Sequence, residues 1–205
     1  MRLRKKMKLK VCGMRDSDNI RELMEVKPDF MGMIFYPKSS RYVEELPQTD
    51  LDVATVGVFV NESTEVIQEK SKKFGFQMVQ LHGSESVEQA EELKLLGFKV
   101  IKVFGVMDQL PLEEMKPYES TVDYFLFDTK TSQHGGSGQK FDWSILESYD
   151  LDKPFFLSGG IDLEDLESIK ALNIPQLYAV DINSRFERAP AVKDIQKIKS
   201  FKHQL

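Results

Sequence analysis

Two side chains that could take part in chemistry each stand at the end of an apolar run. Cys12, the only cysteine, closes the run KLKVC and is followed at once by a glycine, and Asp128 closes the run YFLFD. In barrels of alternating strands and helices, the edge at which strands give way to loops carries the chemistry, so both residues are candidates for a functional site. Both residues also have ordinary structural interpretations, because free cysteine is often a small buried hydrophobe and aspartate often caps a turn.

Glycine clusters and a polar strand end indicate where an anion could bind. Gly159 and Gly160 directly follow an apolar run, Ser184 lies just beyond the run LYAVDI, and Gly136 lies in a glycine-rich loop too polar for the core. Backbone N–H groups can approach a phosphate closely where glycines carry no side chain. The alternative for the Gly159–Gly160 pair is a simple tight turn.

The elements that must position these residues alternate between short apolar runs and amphipathic stretches, as in a parallel sheet built from βα units. Eight strands are predicted, at Lys8–Cys12, Phe30–Phe35, Val53–Val60, Phe76–His82, Lys99–Phe104, Asp123–Asp128, Pro154–Ser158 and Leu177–Ile182. Helices are predicted at Ser17–Val26, Ser63–Phe74, from Ser86 to Gly97 with a Ser86–Gln89 capping box, and at Trp143–Ser148, Asp162–Leu172 and Ala191–Phe201. Prolines weaken the helical pattern after the second and fifth strands.

Eight βα units favour an α/β fold, a closed (β/α)8 TIM barrel. A doubly wound sheet uses the same alternation, but the first strand leads into CGMRDS and lacks its usual G-x-G-x-x-G turn. No linker or repeat divides the chain, so residues 1–205 are predicted to form one domain, with residues 1–6 as a frayed extension or a solvated arm. In such barrels, the carboxyl ends of the strands carry the chemistry, and the loops after strands seven and eight bind phosphate.

The composition excludes several other classes of function. The 28 basic and 33 acidic residues give a net charge of -5, which argues against a nucleic-acid partner. The three histidines are far apart in sequence, so no metal site is predicted, and the lone cysteine fits a reducing compartment. There is neither a secretory signal nor an apolar run long enough to span a bilayer, so the expectation is a cytoplasmic protein without a membrane partner.

Nine stretches, taken in order, make the chain similar to the phosphoribosylanthranilate isomerase family of tryptophan biosynthesis. They are KVCGM, MGMIFYPKSSRYV, VGVFVN, VQLHG, VIKVFG, DYFLFDT, GGSGQKFDW, LSGGI, and DINSRFE with APAVKD. The resemblance implies a barrel enzyme without metal or organic cofactor. It also implies an Amadori rearrangement of N-(5-phosphoribosyl)anthranilate, a phosphorylated sugar–anthranilate, to 1-(2-carboxyphenylamino)-1-deoxyribulose 5-phosphate. A monomer is expected.

The resemblance also assigns roles. Cys12 becomes the general base that takes the proton from C2, and Asp128 the general acid that protonates the ribose ring oxygen. The thiol must therefore spend time as thiolate, and the carboxyl must hold a proton, a condition that a dry pocket favours. Arg41 becomes the ligand of the anthranilate carboxylate, and Gln80 and His82 line the pocket, although a structural histidine is an equal alternative.

At three positions the chain departs from the family pattern, which bears on the geometry of the phosphate loop. The family usually has proline where this chain has Ser40, and glycine at the positions of Arg185 and Ala191. Gly159, Gly160 and Ser184 remain as phosphate-binding candidates. We expect Arg185 to present only its backbone N–H to the anion and its guanidinium to solvent.

Other phosphate-binding barrels provide the alternatives. An indoleglycerol-phosphate synthase would need a lysine acid on a strand, and a ribulose-phosphate epimerase relative would need paired aspartates with metal-binding histidines. Neither set occurs at matching strand ends. A phosphosugar-binding barrel without catalysis is the non-enzyme alternative, and the presence of both Cys12 and Asp128 argues against it.

Overall fold

The computed structural model describes residues 7–45, 47, 49, 51–130 and 140–205, and within these ranges eight parallel strands close into a barrel in sequence order. The predicted (β/α)8 architecture is confirmed. The strands are β1 Lys8–Cys12, β2 Phe30–Ile34, β3 Ala54–Phe59, β4 Met78–Leu81, β5 Lys99–Val106, β6 Tyr124–Thr129, β7 Phe155–Leu157 and β8 Leu177–Ile182. Two strands have the predicted bounds, and the other six differ by one or two residues at an end.

Alternation along each strand separates two apolar regions. Leu9 and Val11 of β1 belong to the large cluster between the sheet and the helices. Phe30, Met78 and Leu126 belong to a smaller cluster, whose side chains face the other side of the sheet and fill the barrel interior. Because successive side chains of a strand point to opposite faces, Lys10 and Cys12 share the interior face of β1.

Six α-helices are described, several with the caps that the sequence predicts. They are α1 Ser17–Val26, α2 Thr64–Phe74, α3 Val87–Leu95, α4 Leu112–Met115, α5 Leu166–Ala171 and α6 Ile195–Gln204. Ser63 caps α2 and Ser86 caps α3 through their side-chain oxygens. The capping box of α3 is modified, because the side-chain amide of Gln89 donates to the backbone oxygen of Glu62, at 2.6 Å. Within the described ranges, none of the helices combines the length and apolar character needed to cross a bilayer.

Three helix predictions need correction. Residues Trp143–Ser148 form a 3-10 helix, and Leu163–Asp165 form another immediately before α5. The last helix begins at Ile195 rather than Ala191, with Asp194 as its cap. Residues before that cap form the hairpin β9 Glu187–Ala189 and β10 Val192–Lys193. Ala191 lies in the hairpin turn with φ +67°, a conformation that cannot belong to a right-handed helix.

Candidate active site

A pocket opens at the carboxyl ends of the barrel strands, and nine of the ten predicted site residues line it. These are Cys12, Arg41, Gln80, His82, Asp128, Gly159, Gly160, Ser184 and Arg185. The tenth, Gly136, lies in residues 131–139, outside the described residues. The sequence analysis did not select Asp181 and Asn183, which also line the pocket.

Cys12 ends β1 with 5 % of its surface exposed. Burial raises the pKa of its thiol, while the positive charges of Lys10 and Lys193 oppose that rise. The pocket therefore favours the thiol over the thiolate, contrary to the condition stated above for a base. The two cations still stabilise the thiolate whenever it forms.

Lys10 and Asp181 form a buried ion pair beneath Cys12. Lys10 Nζ lies 2.7 Å from Asp181 Oδ2, and the two side chains are 0 % and 4 % exposed. Burial disfavours the charged lysine, but Asp181 and Cys12 together raise the pKa of Lys10, so it stays a cation. Burial raises the pKa of Asp181. Asp181 Oδ1 has no hydrogen-bond partner in the described part of the chain, so it can accept a hydrogen bond from a ligand hydroxyl.

A polar chain continues from Lys10 across the barrel to Asp128. Lys10 Nζ donates to Gln80 Oε1 at 2.8 Å, and Gln80 Nε2 lies 3.1 Å from His82 Nδ1. His82 Nε2 faces Asp128 Oδ2 at 3.4 Å, and Asp128 Oδ1 accepts from the backbone N–H of Thr129 at 2.9 Å. The Asp128 side chain is 18 % exposed, so water reaches the expected acid.

At the rim of the pocket, Arg41 is held by the carboxylate of Glu187, the first residue of β9. Its Nε and Nη2 donate to the two carboxylate oxygens of Glu187, at 2.8 and 2.7 Å. Lys193, also buried, donates to Glu187 Oε1 and to Asn183 Oδ1, both at 2.6 Å. Burial would raise the pKa of Glu187, but the hydrogen bonds and charges of Arg41 and Lys193 hold it below its ordinary range. This bidentate contact fixes the orientation of the Arg41 guanidinium.

The glycine pair after β7 adopts a conformation that side chains rarely tolerate. Gly159 and Gly160 have φ values of +95° and +62°. A Cβ on Gly159 would lie 2.8 Å from the Thr129 backbone nitrogen and 3.2 Å from Asp128 Oδ1, so this turn packs directly against the end of β6.

Ser184 begins a 3-10 helix, Ser184–Phe186, in the segment that follows β8. Arg185 is exposed, and its backbone oxygen accepts from Lys197 Nζ at 2.7 Å. Lys197 also contacts Asp162 Oδ1 at 2.6 Å. The described residues contain no group of three or more His, Cys, Asp or Glu side chains that could hold a metal ion.

The sequence analysis missed the charged residues Lys10, Asp181, Glu187 and Lys193. Several of their partners are distant in sequence: Lys10 is separated by 70 and 171 residues from Gln80 and Asp181, and Glu187 by 146 residues from Arg41. One signal was available. In KLKVC, the period of two puts Lys10 on the same face as Cys12, so a charge beside the thiol could have been predicted.

Comparison with known proteins identifies one family. The sequence model of N-(5'-phosphoribosyl)anthranilate (PRA) isomerase matches residues 9–204. The N-(5'-phosphoribosyl)anthranilate isomerase of Parabacteroides distasonis is 44 % identical over 204 residues, which cover 96 % of this chain and 92 % of that protein.

Solved structures agree with this family match. The crystal structure of phosphoribosyl anthranilate isomerase from Thermotoga maritima is 34 % identical, with a TM-score of 0.84 over 97 % of this chain and 98 % of that one. A phosphoribosyl anthranilate isomerase in complex with reduced 1-(o-carboxyphenylamino)-1-deoxyribulose 5-phosphate is 31 % identical, with a TM-score of 0.82 and 97 % coverage of both chains.

Proposed function

The chain belongs to the N-(5'-phosphoribosyl)anthranilate isomerase family, and from that premise we propose how its own residues carry out the reaction. The protein is an isomerase of tryptophan biosynthesis that converts N-(5-phosphoribosyl)anthranilate to 1-(2-carboxyphenylamino)-1-deoxyribulose 5-phosphate. The observation that carries the assignment of residues is the presence of a thiol, a carboxyl and a paired-glycine turn around one pocket at the carboxyl edge of the barrel.

Ring opening comes first. Asp128, carrying a proton, gives it to the ribose ring oxygen as the bond from that oxygen to C1 breaks. The lone pair of the anthranilate nitrogen forms a C1=N double bond at the same time, so the positive charge moves to nitrogen. Asp128 is left as a carboxylate beside His82 and the Thr129 N–H.

Cys12 then completes the shift of the double bond. Its thiolate takes the proton from C2, and the electrons of that C–H bond form a C1=C2 double bond while the C1=N pair returns to nitrogen. The resulting enolamine tautomerises to the ketone by protonation at C1 and loss of the C2 hydroxyl proton. Lys10 supports the thiolate electrostatically, and Asp181 Oδ1 accepts a hydrogen bond from a substrate hydroxyl.

Arg41 and the two loops hold the ends of the substrate. Glu187 occupies Nε and one N–H of Nη2 of Arg41, so the anthranilate carboxylate binds on the Nη1 side of the guanidinium. The phosphate lies against the turn at Gly159 and Gly160 and the backbone at Ser184, where glycines permit close approach. Gly136, in the glycine-rich loop, is also proposed to contact the substrate.

The assay is the loss of fluorescence of freshly prepared phosphoribosylanthranilate on addition of the purified protein, with and without a chelator. We expect Cys12→Ser and Asp128→Asn each to lower kcat by about 10²-fold or more, the usual effect of removing a positioned acid or base. Asp18→Asn, at a carboxylate whose side chain is 83 % exposed on α1, is the matched control and should behave as the wild type.

Each outcome of this assay supports or contradicts a separate claim. Near-normal turnover in either pocket variant would assign that residue a structural role. Loss of activity in chelator, restored by a divalent ion, would contradict the metal-free mechanism. Binding without turnover by the wild type would favour the noncatalytic phosphosugar-binding barrel.

A monomeric, single-domain, cytoplasmic enzyme is part of the same proposal. The exposed large apolar side chains of the described residues lie at three places in the sequence, Leu95 with Leu96, Met107 and Val192, which supports a monomer. The opposing observation is that a phosphoribosylanthranilate isomerase from Thermotoga maritima is described as dimeric. Contact between the first and the last helix, where Lys202 Nζ donates to the Val26 oxygen at 2.8 Å, supports one domain. A lone free cysteine is compatible with a reducing compartment. Light scattering would overturn the monomer if it gave twice the chain mass of 23.6 kDa.

A further inference from the structure

We propose that His82 is a positioning residue for Asp128, and that a hydrogen-bond chain beginning at Lys10 keeps the imidazole proton on Nε2. This inference rests on the proposed role of Asp128 as the acid. It is carried by four residues on the interior face of the barrel, Lys10, Gln80, His82 and Asp128, which come from three strands or their ends.

Lys10 determines how the amide of Gln80 is oriented. Its ammonium is fully buried and can only donate hydrogen bonds, and its Nζ lies 2.8 Å from the side-chain amide of Gln80. The amide must therefore present its oxygen to Lys10. Gln80 is itself 1 % exposed, so no solvent competes for this orientation, and its NH2 group is turned toward His82.

The oriented amide in turn determines the tautomer of His82. Gln80 Nε2 lies 3.1 Å from His82 Nδ1, and an amide NH2 can only donate there. Nδ1 must accept, so the proton of a neutral ring is on Nε2. That nitrogen is the one that faces Asp128 Oδ2, at 3.4 Å.

This tautomer gives Asp128 a donor where it needs one. Once Asp128 has given its proton to the ring oxygen, its Oδ1 accepts from the Thr129 N–H and its Oδ2 can accept from His82 Nε2–H. The opposite tautomer would point a lone pair at the carboxylate and repel it. The 3.4 Å contact is long for a hydrogen bond, but catalytic contacts of unliganded sites often tighten only when substrate is bound.

The first test is spectroscopic and independent of activity. The protein is labelled with 15N-histidine, and spectra are recorded well above the pH at which ordinary histidines titrate. The chain has three histidines, and His82→Gln identifies the signals of residue 82. We expect a pyridine-type Nδ1 and a pyrrole-type Nε2, and a mixture of tautomers in Gln80→Leu. A pyrrole-type Nδ1 in the wild type would overturn the proposal.

The second test separates positioning from packing. A glutamine at position 82 places an amide N–H close to the site of Nε2, whereas a leucine fills the space without a donor. We expect His82→Leu to lower kcat about tenfold or more and His82→Gln to lower it less than about threefold, with KM changed less than about twofold in both. His203→Leu, at an exposed position of α6, is the control for loss of an imidazole.

The outcomes keep this inference distinct from the proposed function. Equal losses in His82→Leu and His82→Gln, with both proteins folded, would overturn the positioning role. If Asp128→Asn retained normal turnover, the role of the acid would fail, while the 15N spectra would still decide the tautomer.

Discussion

Replacing Gly32 by alanine should displace the thiol of Cys12, the proposed base, by direct contact. Gly32 pairs with Cys12 across β1 and β2, and a Cβ on Gly32 would lie 2.7 Å from Cys12 Sγ and 3.1 Å from its Cα. Favourable contacts between such atoms need about 3.5–4.0 Å, so the new methyl group is about 1 Å too close. Sγ must move by a similar distance, because Cys12 is buried and the barrel strands cannot separate freely.

Misplacement of a reacting group by about 1 Å can cost roughly 10²-fold in rate, so we expect kcat of Gly32→Ala to fall by about that factor. KM should change less than about threefold, because the proposed carboxylate and phosphate contacts lie on other loops. Overpacking of this kind costs about 1–3 kcal/mol of unfolding free energy, so circular dichroism must first establish that the variant is folded at the assay temperature.

The matched control is Gly57→Ala, another strand glycine, where the new Cβ would lie 2.8 Å from ring carbons of Phe59 and Phe76. These two rings belong to the cluster between the sheet and the helices, so this variant should be overpacked to a similar degree but keep normal turnover. The reasoning would be refuted if folded Gly32→Ala turned over substrate at a rate within about threefold of the wild type, since a displacement of ~1 Å in the base should cost far more.

Three further predictions concern the thiol, the phosphate loop and stability. Because burial raises the pKa of Cys12, alkylation of this single cysteine should keep accelerating above pH ~8.5, where an ordinary thiol is half ionised; a plateau below that pH would contradict it. Arg185→Gly should change KM less than about threefold and Gly160→Val should raise it at least about tenfold, whereas a large, salt-sensitive rise for Arg185→Gly would make that arginine a phosphate ligand. Lys27 ends α1 with φ +54°, so Lys27→Gly should raise the unfolding free energy by about 0.5–1 kcal/mol in urea titrations, and a decrease would exclude relief of strain.

Local sequence signals predicted most of the fold, because most helices and strands carry a cap residue or an apolar pattern within their own residues. Ser63 and Ser86 stand where helix caps are needed, and the strands are apolar on both faces because helices cover one side and the barrel interior the other. The predicted start of α6, at Ala191, was four residues too early because of the conformation of that residue. Ala191 takes a left-handed conformation that its own residue type does not indicate, and its N–H donates to Glu187 Oε1 at 3.1 Å, a contact made within the folded hairpin.

The site was predictable in its strand-end residues and unpredictable in its charges. The motifs at the ends of β1, β4, β6 and β7 contain the predicted site residues, and these residues line one pocket. By contrast, burial raises the pKa of Cys12 while the cations Lys10 and Lys193, which lie near opposite ends of the chain, oppose that rise. Only the closure of the barrel brings such groups together, so no local pattern could have given the protonation state of the thiol.

Two glycines allow the rim of the pocket to pack closely against the turn that carries Cys12. Gly32 leaves room for Cys12 Sγ, and Gly13, with φ +77°, leaves room for Arg41 Cδ and Asn183 Oδ1, which would lie 2.7 and 2.8 Å from its Cβ. Lys193 holds Asn183, and Glu187 holds Arg41. These two rim residues therefore pack against Gly13, in the turn directly after Cys12. The groups proposed to hold the substrate and the group proposed to act on it therefore share one backbone turn, and a side chain at Gly13 should disturb binding and turnover together.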